Sequence, residues 1–383
     1  MPEVVEINRL DDIDRYQLLW TSLLGETPNA TFFHSLDWLR AHLSTAEDQS
    51  LRVYVVFSRG KAIGIVPFVR RRSDSFLGKV HSLGLPIHDW CAHIGPVGPN
   101  PTASLVAALK HVRKDPQRDW DTLDLSITDP PFDFERMATS LEVAGFPVQT
   151  SQQASSGIIH LGDSWCDYLA QRPPGFATRL SRLHDRLPQL GSTRFVRYRP
   201  LGEAHGDSDP RWDIFHDCIE LARQHWHGRT RSGALIVNQA SVEFLNRLHQ
   251  VATHSGSSDL NILMVDNKPA AFFYNVHRQG QIQCVCWSAD PQYTKFGIDR
   301  ILLSHMSQDS FERGDAWIDI GRDGSGRWRP WTNKVAVTRR FVHYPRTVAK
   351  AQALRLGRWM QERFTGKANP RHVPFARQAT SQL

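Results

Sequence analysis

The sequence predicts a mixed α/β fold in which one unit of strands and helices occurs twice, and three observations support this class. The chain has 383 residues, whereas a typical domain has roughly 150, so two or three domains are expected. Hydrophobic residues make up 40% of the chain and charged residues 22%, a globular composition that excludes a disordered chain, a collagen or a coiled coil. The order strand, polar turn, strand, further β-structure, helix and strand appears in both halves.

The elements of the first half follow from local patterns. Ser35 is a suitable N-cap for a helix. Residues 51–57 are rich in β-branched and aromatic side chains and predict a strand, which a polar turn joins to a second strand at 62–68. The other elements predicted in this half are helices at 103–114 and 134–144 and a strand at 120–126.

The second half contains the clearest helical pattern. Phe176, Leu180, Leu183 and Leu187 recur at helical spacing and form one apolar stripe. Three arginines on another face of this helix, at positions 179, 182 and 186, either bind an anionic acceptor, such as a lipid-linked sugar or a sugar phosphate, or face solvent. The remaining predicted elements are helices at 212–226, 241–254 and 298–313 and strands at 260–265, 269–276, 281–288, 317–321 and 335–344.

These patterns predict two structural units and a basic tail. Residues 1–158 form the first unit, residues 159–346 the second, and residues 347–383 a basic helix with a loose end. From Arg339 onward there are ten Lys and Arg residues and one acid, Glu362, which gives +9; because the whole chain carries +7, the rest carries −2. A nucleic-acid partner is not expected, since the positive charge is absent from the main domains. The tail either lies on an anionic membrane surface or only keeps the chain soluble.

Cysteine use and hydropathy favour a cytoplasmic protein without a metal. The five cysteines include no C-x-x-C pair, and no ligand set for zinc is suggested. The acidic start of the chain and the lack of an apolar run of about 18 residues argue against a signal peptide and a membrane span. No Walker A, Rossmann, G-x-S-x-G or H-E-x-x-H motif occurs, which argues against NTP hydrolysis, nicotinamide chemistry, α/β-hydrolases and zincins.

A set of short segments occurs in a fixed order between about residues 30 and 335. They are 33–39 (FHSLDWL), 60–67 (GKAIGIVP), Leu83-Gly84 followed by Asp89, Trp226 before a helix, 266–271 (DNKPAA), 290–293 (DPQY) with Gly297, and 317–321 (WIDIG). In order and spacing they resemble the GNAT-superfamily acetyltransferases associated with CelD-type polysaccharide-biosynthesis proteins. The two-copy layout resembles FemAB-like aminoacyl transferases. The resemblance implies a tandem GNAT-like fold with the acyl-donor site in the second unit.

The resemblance also implies where an acyl-CoA would bind. In a GNAT fold two parallel strands diverge, exposed backbone groups pair with the pantetheine arm, and the pyrophosphate lies at the N-terminus of the next helix. This places the opening between the strands at 281–288 and 317–321. The residues implied in binding acetyl-CoA or another acyl-CoA are Trp287, Ser288, Lys295, Phe296, Gly297 and Ile298. The departures from the family pattern are Thr294 and Asp299 in the phosphate loop and Arg327-Trp328 in place of a Tyr-Lys pair.

Acyl transfer needs a general base for the acceptor and a proton donor for the leaving thiolate. By resemblance Asp319 is the candidate base, and Asp89 is expected to line an acceptor cleft between the units. Tyr293 and Tyr274 are candidate proton donors. The implied substrate-binding residues are Trp226, Arg322, Trp331 and Asn333. Asp319 also has a purely structural interpretation as a carboxylate bonded to backbone N–H groups, and Tyr293 and Tyr274 have one as half-buried packing residues.

The expected function is transfer of an acyl group, acetyl in the family's usual form, from acyl-CoA to an amine or hydroxyl of a cell-surface sugar or its precursor. The sugar acceptor follows from the resemblance alone. Two alternatives stay open: aminoacyl transfer from tRNA, as FemAB-like proteins perform it, and a GNAT shell that binds without catalysis.

Overall fold

The computed structural model describes residues 2–86, 95–116, 118–129, 134–224, 239–321 and 326–365. Its strands are β1 (Glu3–Ile7), β2 (Gln49–Ser58), β3 (Lys61–Ser75), β4 (Gly78–Gly84), β5 (Thr122–Asp129), β6 (Gln149–His160), β7 (Thr193–Tyr198), β8 (Ser258–Val265), β9 (Lys268–Arg278), β10 (Gln281–Ala289), β11 (Trp317–Asp319) and β12 (Lys334–His343). Its helices are α1 (Leu10–Ile13), α2 (Gln17–Gly25), α3 (Leu36–Leu43), α4 (Pro101–Lys114), α5 (Phe134–Val143), α6 (Trp165–Ala170), α7 (Phe176–His184), α8 (Trp212–Gln224), α9 (Gln239–His254), α10 (Ile298–Glu312) and α11 (Ala349–Thr365).

The chain divides into two compact units. Unit 1 comprises Met1–Ala154 together with Val337–Leu383, and unit 2 comprises Ser155–Ala336. The sequence pattern instead predicts a second unit at residues 159–346 and a separate basic tail at residues 347–383. The structure groups these residues with unit 1 because β12 pairs antiparallel with β5. The guanidinium of Arg340 on β12 also forms two hydrogen bonds, of 2.8 and 2.6 Å, with the Asp124 carboxylate.

Unit 1 is a mixed sheet in the order β1-β2-β3-β4-β5-β12. All of its neighbouring strands are antiparallel except β4 and β5, which are parallel. Leu105 and Leu109 of α4 and Leu141 of α5 are buried against the sheet in one apolar core. Asn100 caps α4 by accepting a hydrogen bond from the Ala103 N–H, as expected for an N-cap.

Unit 2 is a second mixed sheet in the order β6-β11-β10-β9-β8-β7. Only β10 and β11 are parallel neighbours, and their connection through α10 is the helical crossover that parallel strands require. Successive side chains of β9 point to opposite faces. Asn275 contacts Met306 of α10 on one face, and Tyr274 contacts Phe215 of α8 on the other. Helices therefore cover both faces of this sheet.

A buried ionic network fixes α10 on the sheet of unit 2. The Arg197 side chain on β7 is 3% exposed and forms hydrogen bonds of 2.8 and 2.9 Å with the carboxylate of Asp259. The same guanidinium donates to Asp309 of α10 at 2.7 Å. Buried charges are stable only when they are paired in this way. The network sets the position of α10 and therefore of its N-terminus.

Within the described residues, no helix is long and apolar enough to cross a membrane.

Candidate functional site

The candidate site lies where the parallel pairing of β10 and β11 ends. Only three residues of each strand pair, and the last pair is Gln283 with Asp319. β10 continues to Ala289 and remains paired with β9 on its other edge. One edge of β10, from Cys284 to Ala289, therefore has no neighbouring strand within the described part of the chain.

The backbone after β11 explains why the pairing stops. The N–H of Ile320 donates to a carbonyl on β6 at 3.1 Å, and the N–H of Gly321 donates to the carboxylate of Asp319 at 2.8 Å. Neither donor is then directed to β10. The register of β10 against β9 also shifts between Cys284 and Cys286, and such a β-bulge bends a strand. The pairing of the two strands therefore ends at Gln283 and Asp319.

β10 leads through a short 3₁₀ turn, Pro291–Phe296, into the N-terminus of α10. Gly297 joins the two with a φ of 69°, in the left-handed region that favours glycine. A Cβ at this position would also lie 3.0 Å from the side chain of Leu183 on α7. The first N–H groups of a helix and the positive end of its dipole favour a bound anion. The end of β10 is thus followed directly by an anion-favouring helix terminus.

The acidic residue in this first turn is neutralised. The Asp299 side chain is 1% exposed and forms an ion pair with the Arg327 guanidinium. That guanidinium also lies over the rings of Trp287, at 5.8 Å, and Trp328, at 5.5 Å. The departure from the family pattern at Asp299 and the departure at Arg327 are therefore two halves of one contact. The pair removes the repulsion that an isolated carboxylate would exert on a diphosphate.

The aromatic residues near the site differ in their exposure. Trp287 is half-buried, while Trp328 is buried and contacts Trp287 edge-to-face with centroids 5.2 Å apart. Trp331 is 2% exposed and packs against Phe176 at 4.9 Å. The Tyr168 hydroxyl donates to the Trp331 carbonyl. The ring of Trp331 belongs to the core, and its position gives no support to the predicted role in substrate binding.

Asp319 is the last residue of β11 that pairs with β10. Its carboxylate accepts hydrogen bonds from the Ser156 hydroxyl at 3.2 Å and from the Gly321 N–H, and the residue is 5% exposed. Across the last paired rung, Gln283 is 2% exposed. The amide oxygen and nitrogen of Gln283 have no hydrogen-bond partner among the residues that the structure describes. A buried amide without hydrogen-bond partners costs free energy. Binding of a ligand that donates to its oxygen and accepts from its nitrogen would therefore be favoured.

The predicted proton donors occupy different surroundings. Tyr293 is half-buried in the 3₁₀ turn and packs against the core of unit 2. Tyr274 is fully buried on the α8 face, and burial raises the pKa of its hydroxyl. Burial likewise raises the pKa of the Cys284 and Cys286 thiols. These thiols stay protonated at neutral pH and are poor nucleophiles.

The structure brings several predicted residues together around the opening. Trp287 and Ser288 lie on the unpaired part of β10, and Lys295, Phe296, Gly297 and Ile298 follow in the turn and at the start of α10. Lys295 is exposed, with its ammonium 5.1 Å from the centre of the Phe296 ring. Asp319 ends the neighbouring strand. The binding roles of these residues remain predictions.

Other predicted residues lie elsewhere. The Asn333 side chain accepts from the His160 N–H at 2.7 Å and donates to the His160 carbonyl at 3.1 Å, which ties the end of β6. Asp89, Trp226 and Arg322 are outside the described residues.

Sequence reasoning missed Gln283 and Ser156. Gln283 sits in an apolar strand pattern that resembles any core strand. Ser156 lies in a polar stretch, 149–157, that gives no strand signal.

The segment that contains β10, α10 and β11 is similar to a known protein family. The family described as "Acetyltransferase (GNAT) domain" matches residues 175–329, from α7 to the turn after β11. Residues 175–329 are therefore similar to a GNAT acetyltransferase domain. The match contains the end of the β10–β11 pairing and the start of α10. A search of curated proteins gave no significant match.

Solved structures extend the likeness in fold to nearly the whole chain. The crystal structure of FemX is 9% identical with a TM-score of 0.58, and the alignment covers 92% of this chain and 98% of FemX. A tandem GNAT protein from the clavulanic acid biosynthesis pathway is 11% identical with a TM-score of 0.50, over 90% and 98% of the two chains. The C-terminal domain of a protein assigned as a lysylphosphatidylglycerol synthetase from Agrobacterium fabrum is 12% identical with a TM-score of 0.51, over 90% and 94%. The mixed α/β fold of the tandem GNAT type is thereby confirmed.

Proposed function

We propose that the GNAT domain transfers an acyl group, acetyl in the simplest case, from acyl-CoA to an amine or hydroxyl of a cell-surface sugar or its precursor. The observation that carries this proposal is the unpaired edge of β10 between Cys284 and Ala289, which runs directly towards the start of α10. The pantetheine arm of coenzyme A contains two amides, and an exposed strand edge binds amides as it binds an added strand.

The start of α10 supports binding of the diphosphate of the same ligand. It offers unpaired helix N–H groups and the positive end of the helix dipole. Lys295 adds an exposed positive charge one turn earlier, and Arg327 compensates the single carboxylate of the first helical turn, Asp299. The charge balance at this terminus therefore favours an anionic ligand. No group of His, Cys, Asp and Glu residues suited to a metal occurs within the described ranges.

The reaction in this proposal uses groups beside the opening. Asp319 takes the proton of the acceptor amine or hydroxyl, whose nitrogen or oxygen attacks the thioester carbonyl. Backbone N–H groups on the unpaired edge of β10 stabilise the developing oxyanion. The carbon–sulfur bond then breaks, and the coenzyme A thiolate receives a proton from Tyr293. Transfer yields an amide or ester and free coenzyme A.

The buried amide of Gln283 supports an acceptor that can both donate and accept hydrogen bonds. Its Oε1 needs a donor and its Nε2 needs an acceptor, and both atoms are buried next to Asp319. A hydroxyl satisfies both needs with one oxygen atom, whereas a protonated amine only donates. Sugars present hydroxyl groups in quantity. This contact therefore fits the sugar acceptor that the sequence resemblance suggested.

Two alternatives have some support from the structure. Aminoacyl transfer from tRNA rests on the likeness of fold to FemX. By resemblance to FemAB-like proteins, such transfer would be expected to need a long helical arm in the second unit, whereas α7 has only nine residues. A binding module without catalysis rests on Asp319, because Ser156 and Gly321 already bind its carboxylate as in a structural role.

A cytoplasmic location is part of the same proposal. Cys166 is an exposed free thiol, and Cys218, Cys284 and Cys286 are free and buried. Unpaired thiols are typical of reducing compartments.

A thermal melt with acetyl-CoA tests donor binding first. A ligand present at 100 times its Kd stabilises the folded protein by about 2.7 kcal/mol. We expect acetyl-CoA to stabilise the folded protein by this amount and to raise its melting temperature. Adenosine alone at the same concentration should not change the melting temperature. Absence of a shift with any acyl-CoA would leave the binding module as the better account. A shift without release of free coenzyme A over a panel of amino and hydroxyl sugars would contradict the proposed acceptor class.

A further inference from the structure

The exposed apolar side chains of unit 1 are concentrated at one place. Among the described residues, nine large hydrophobic side chains are exposed, and five of them lie on α11 or at the tip of the β3–β4 hairpin. Leu356, Trp359 and Met360 are spaced i, i+3 and i+4, so they share one face of α11. Phe76 and Leu77 form the hairpin tip. We call these five side chains the apolar patch.

The hairpin tip and the helix are in direct contact. A Cβ placed on Gly357 of α11 would lie 3.4 Å from the Phe76 ring, so the ring packs over this glycine. The tip itself is ordered by Ser75, whose hydroxyl donates to the Gly78 carbonyl at 2.9 Å and accepts from the Leu77 N–H at 3.1 Å. Phe76 is nevertheless 76% exposed. The fold therefore holds an aromatic side chain outward beside the exposed face of α11.

The opposite face of α11 anchors the helix to unit 1. Ala351 is completely buried, and the Lys350 ammonium lies 3.5 Å from the Asp121 carboxylate. Arg358 donates to the Ser151 hydroxyl at 2.8 Å. The helix is thus fixed with Leu356, Trp359 and Met360 turned to solvent. These three side chains are therefore exposed although α11 itself is packed against unit 1.

Positive charge surrounds the apolar patch. Arg355 and Arg363 are exposed on α11, and Lys79 is exposed beside the hairpin tip. The Arg363 guanidinium lies 5.1 Å from the centre of the Trp359 ring. The only acidic residues in the β3–β4 hairpin and in α11 are Asp74 and Glu362. After α11 the sequence adds Lys367, Arg371 and Arg377 and contains no acid up to its last residue.

We infer that the apolar patch and its basic surroundings dock on an anionic lipid surface. An amphipathic helix lies in the membrane interface when aromatic and aliphatic side chains enter the acyl boundary and basic residues meet anionic headgroups. Trp is favoured at this boundary because its ring is apolar and its N–H is polar. The sequence indicated only a basic tail; the structure adds the exposed face of α11 and the Phe76 tip. This inference does not depend on the proposed acyl transfer.

Vesicle flotation with the full chain tests the inference. We expect the protein to float with vesicles of 30% phosphatidylglycerol in phosphatidylcholine and to stay unbound with pure phosphatidylcholine, and we expect high salt to release it. Each arginine near an anionic surface strengthens partition about five-fold. Arg355→Gln with Arg363→Gln should therefore weaken partition about twenty-five-fold, because the two factors multiply. Phe76→Ser or Trp359→Ser should weaken it about ten-fold.

Matched controls remove the same chemistry from other elements of unit 1. Val143→Ser removes an exposed apolar side chain of α5, and Arg15→Gln removes an exposed positive charge. Both should bind vesicles as the unchanged protein does, and all variants should keep their melting temperature. Equal binding to both vesicle types, or equal binding by the patch and control variants, would overturn the inference. A lipid-free dimer that Phe76→Ser or Trp359→Ser dissociates would also overturn it, since the patch would then join two copies of the chain.

Discussion

Removing Arg327 gives a sharp test of how the start of α10 is built. The Asp299 carboxylate is 1% exposed and forms an ion pair with the Arg327 guanidinium. Removing one member of a buried ion pair typically costs 3–5 kcal/mol, because it leaves a buried charge uncompensated. Arg327 is 35% exposed, and the dipole of α10 stabilises a carboxylate in its first turn by about 0.5 kcal/mol. We therefore expect Arg327→Gln to lower the free energy of unfolding by about 2 kcal/mol.

The same change should weaken the acyl donor. An uncompensated carboxylate about 10 Å from a diphosphate charge is repelled by about 1.7 kcal/mol at an effective dielectric constant of 20. The Kd for acetyl-CoA should then rise more than ten-fold in Arg327→Gln. Urea unfolding measures the first effect and calorimetric titration with acetyl-CoA the second. Arg329→Gln, an exposed arginine in the same turn, is the matched control and should change neither quantity much.

A second substitution decides between this explanation and a general loss of packing. In the Arg327→Gln background, Asp299→Asn removes the buried charge and should restore most of the stability and of the affinity. The coupling between the two sites should be about 2 kcal/mol in a double-mutant cycle. Additive losses in the cycle would refute the reasoning, because they would show that Asp299 and Arg327 do not depend on each other.

Three further predictions concern the opening and the buried histidines. Asp319→Asn should lower turnover 10²- to 10⁴-fold with acetyl-CoA affinity unchanged, measured as release of free coenzyme A, and an unchanged rate would remove Asp319 from the reaction. Gln283→Leu should leave stability equal or higher in urea unfolding, because two unpartnered buried atoms are lost, while KM for the acceptor rises about ten-fold; a large loss of stability would contradict the unpartnered amide. Burial lowers the pKa of His249 and His277 from 6.5 to about 4. As the pH falls, the unfolded chain therefore binds protons before the folded chain does, and the free energy of unfolding should fall between pH 6.5 and pH 4. The expected loss at pH 5 is about 2 kcal/mol per histidine. His249→Asn should flatten this pH dependence of urea unfolding, and an equal slope would show that His249 does not carry it.

Local pattern was sufficient for elements with a strong signal. The strand predicted at 260–265 became β8, and the helix predicted at 298–313 became α10, each within two residues. β7 was missed because it has only six residues, and Arg194 and Arg197 interrupt its apolar residues. β6 was missed because most of its residues are polar. Both strands take their stability from neighbours in the sheet, which local propensity does not reveal.

The site was predictable only in part, because its key contacts join residues that are distant in sequence. Order along the chain identified the ends of β10 and β11 and the glycine before α10. The pairing of β12 with β5 joins residues more than 200 positions apart and moved the last strand out of the second unit. The contact between Asp299 and Arg327 was read from the sequence as two separate departures. Trp331 was assigned to the substrate, whereas burial places it in the core, and no sequence pattern gives the burial of a single aromatic residue.

Hydrogen exchange along β10 tests the central claim most directly. Amides of residues 284–289 should exchange more slowly when acetyl-CoA is added, because the ligand pairs with the open edge of the strand. Amides of residues 281–283, which β11 already pairs, should not change. Equal exchange of the 284–289 segment with and without saturating acetyl-CoA would show that no acyl donor occupies this edge.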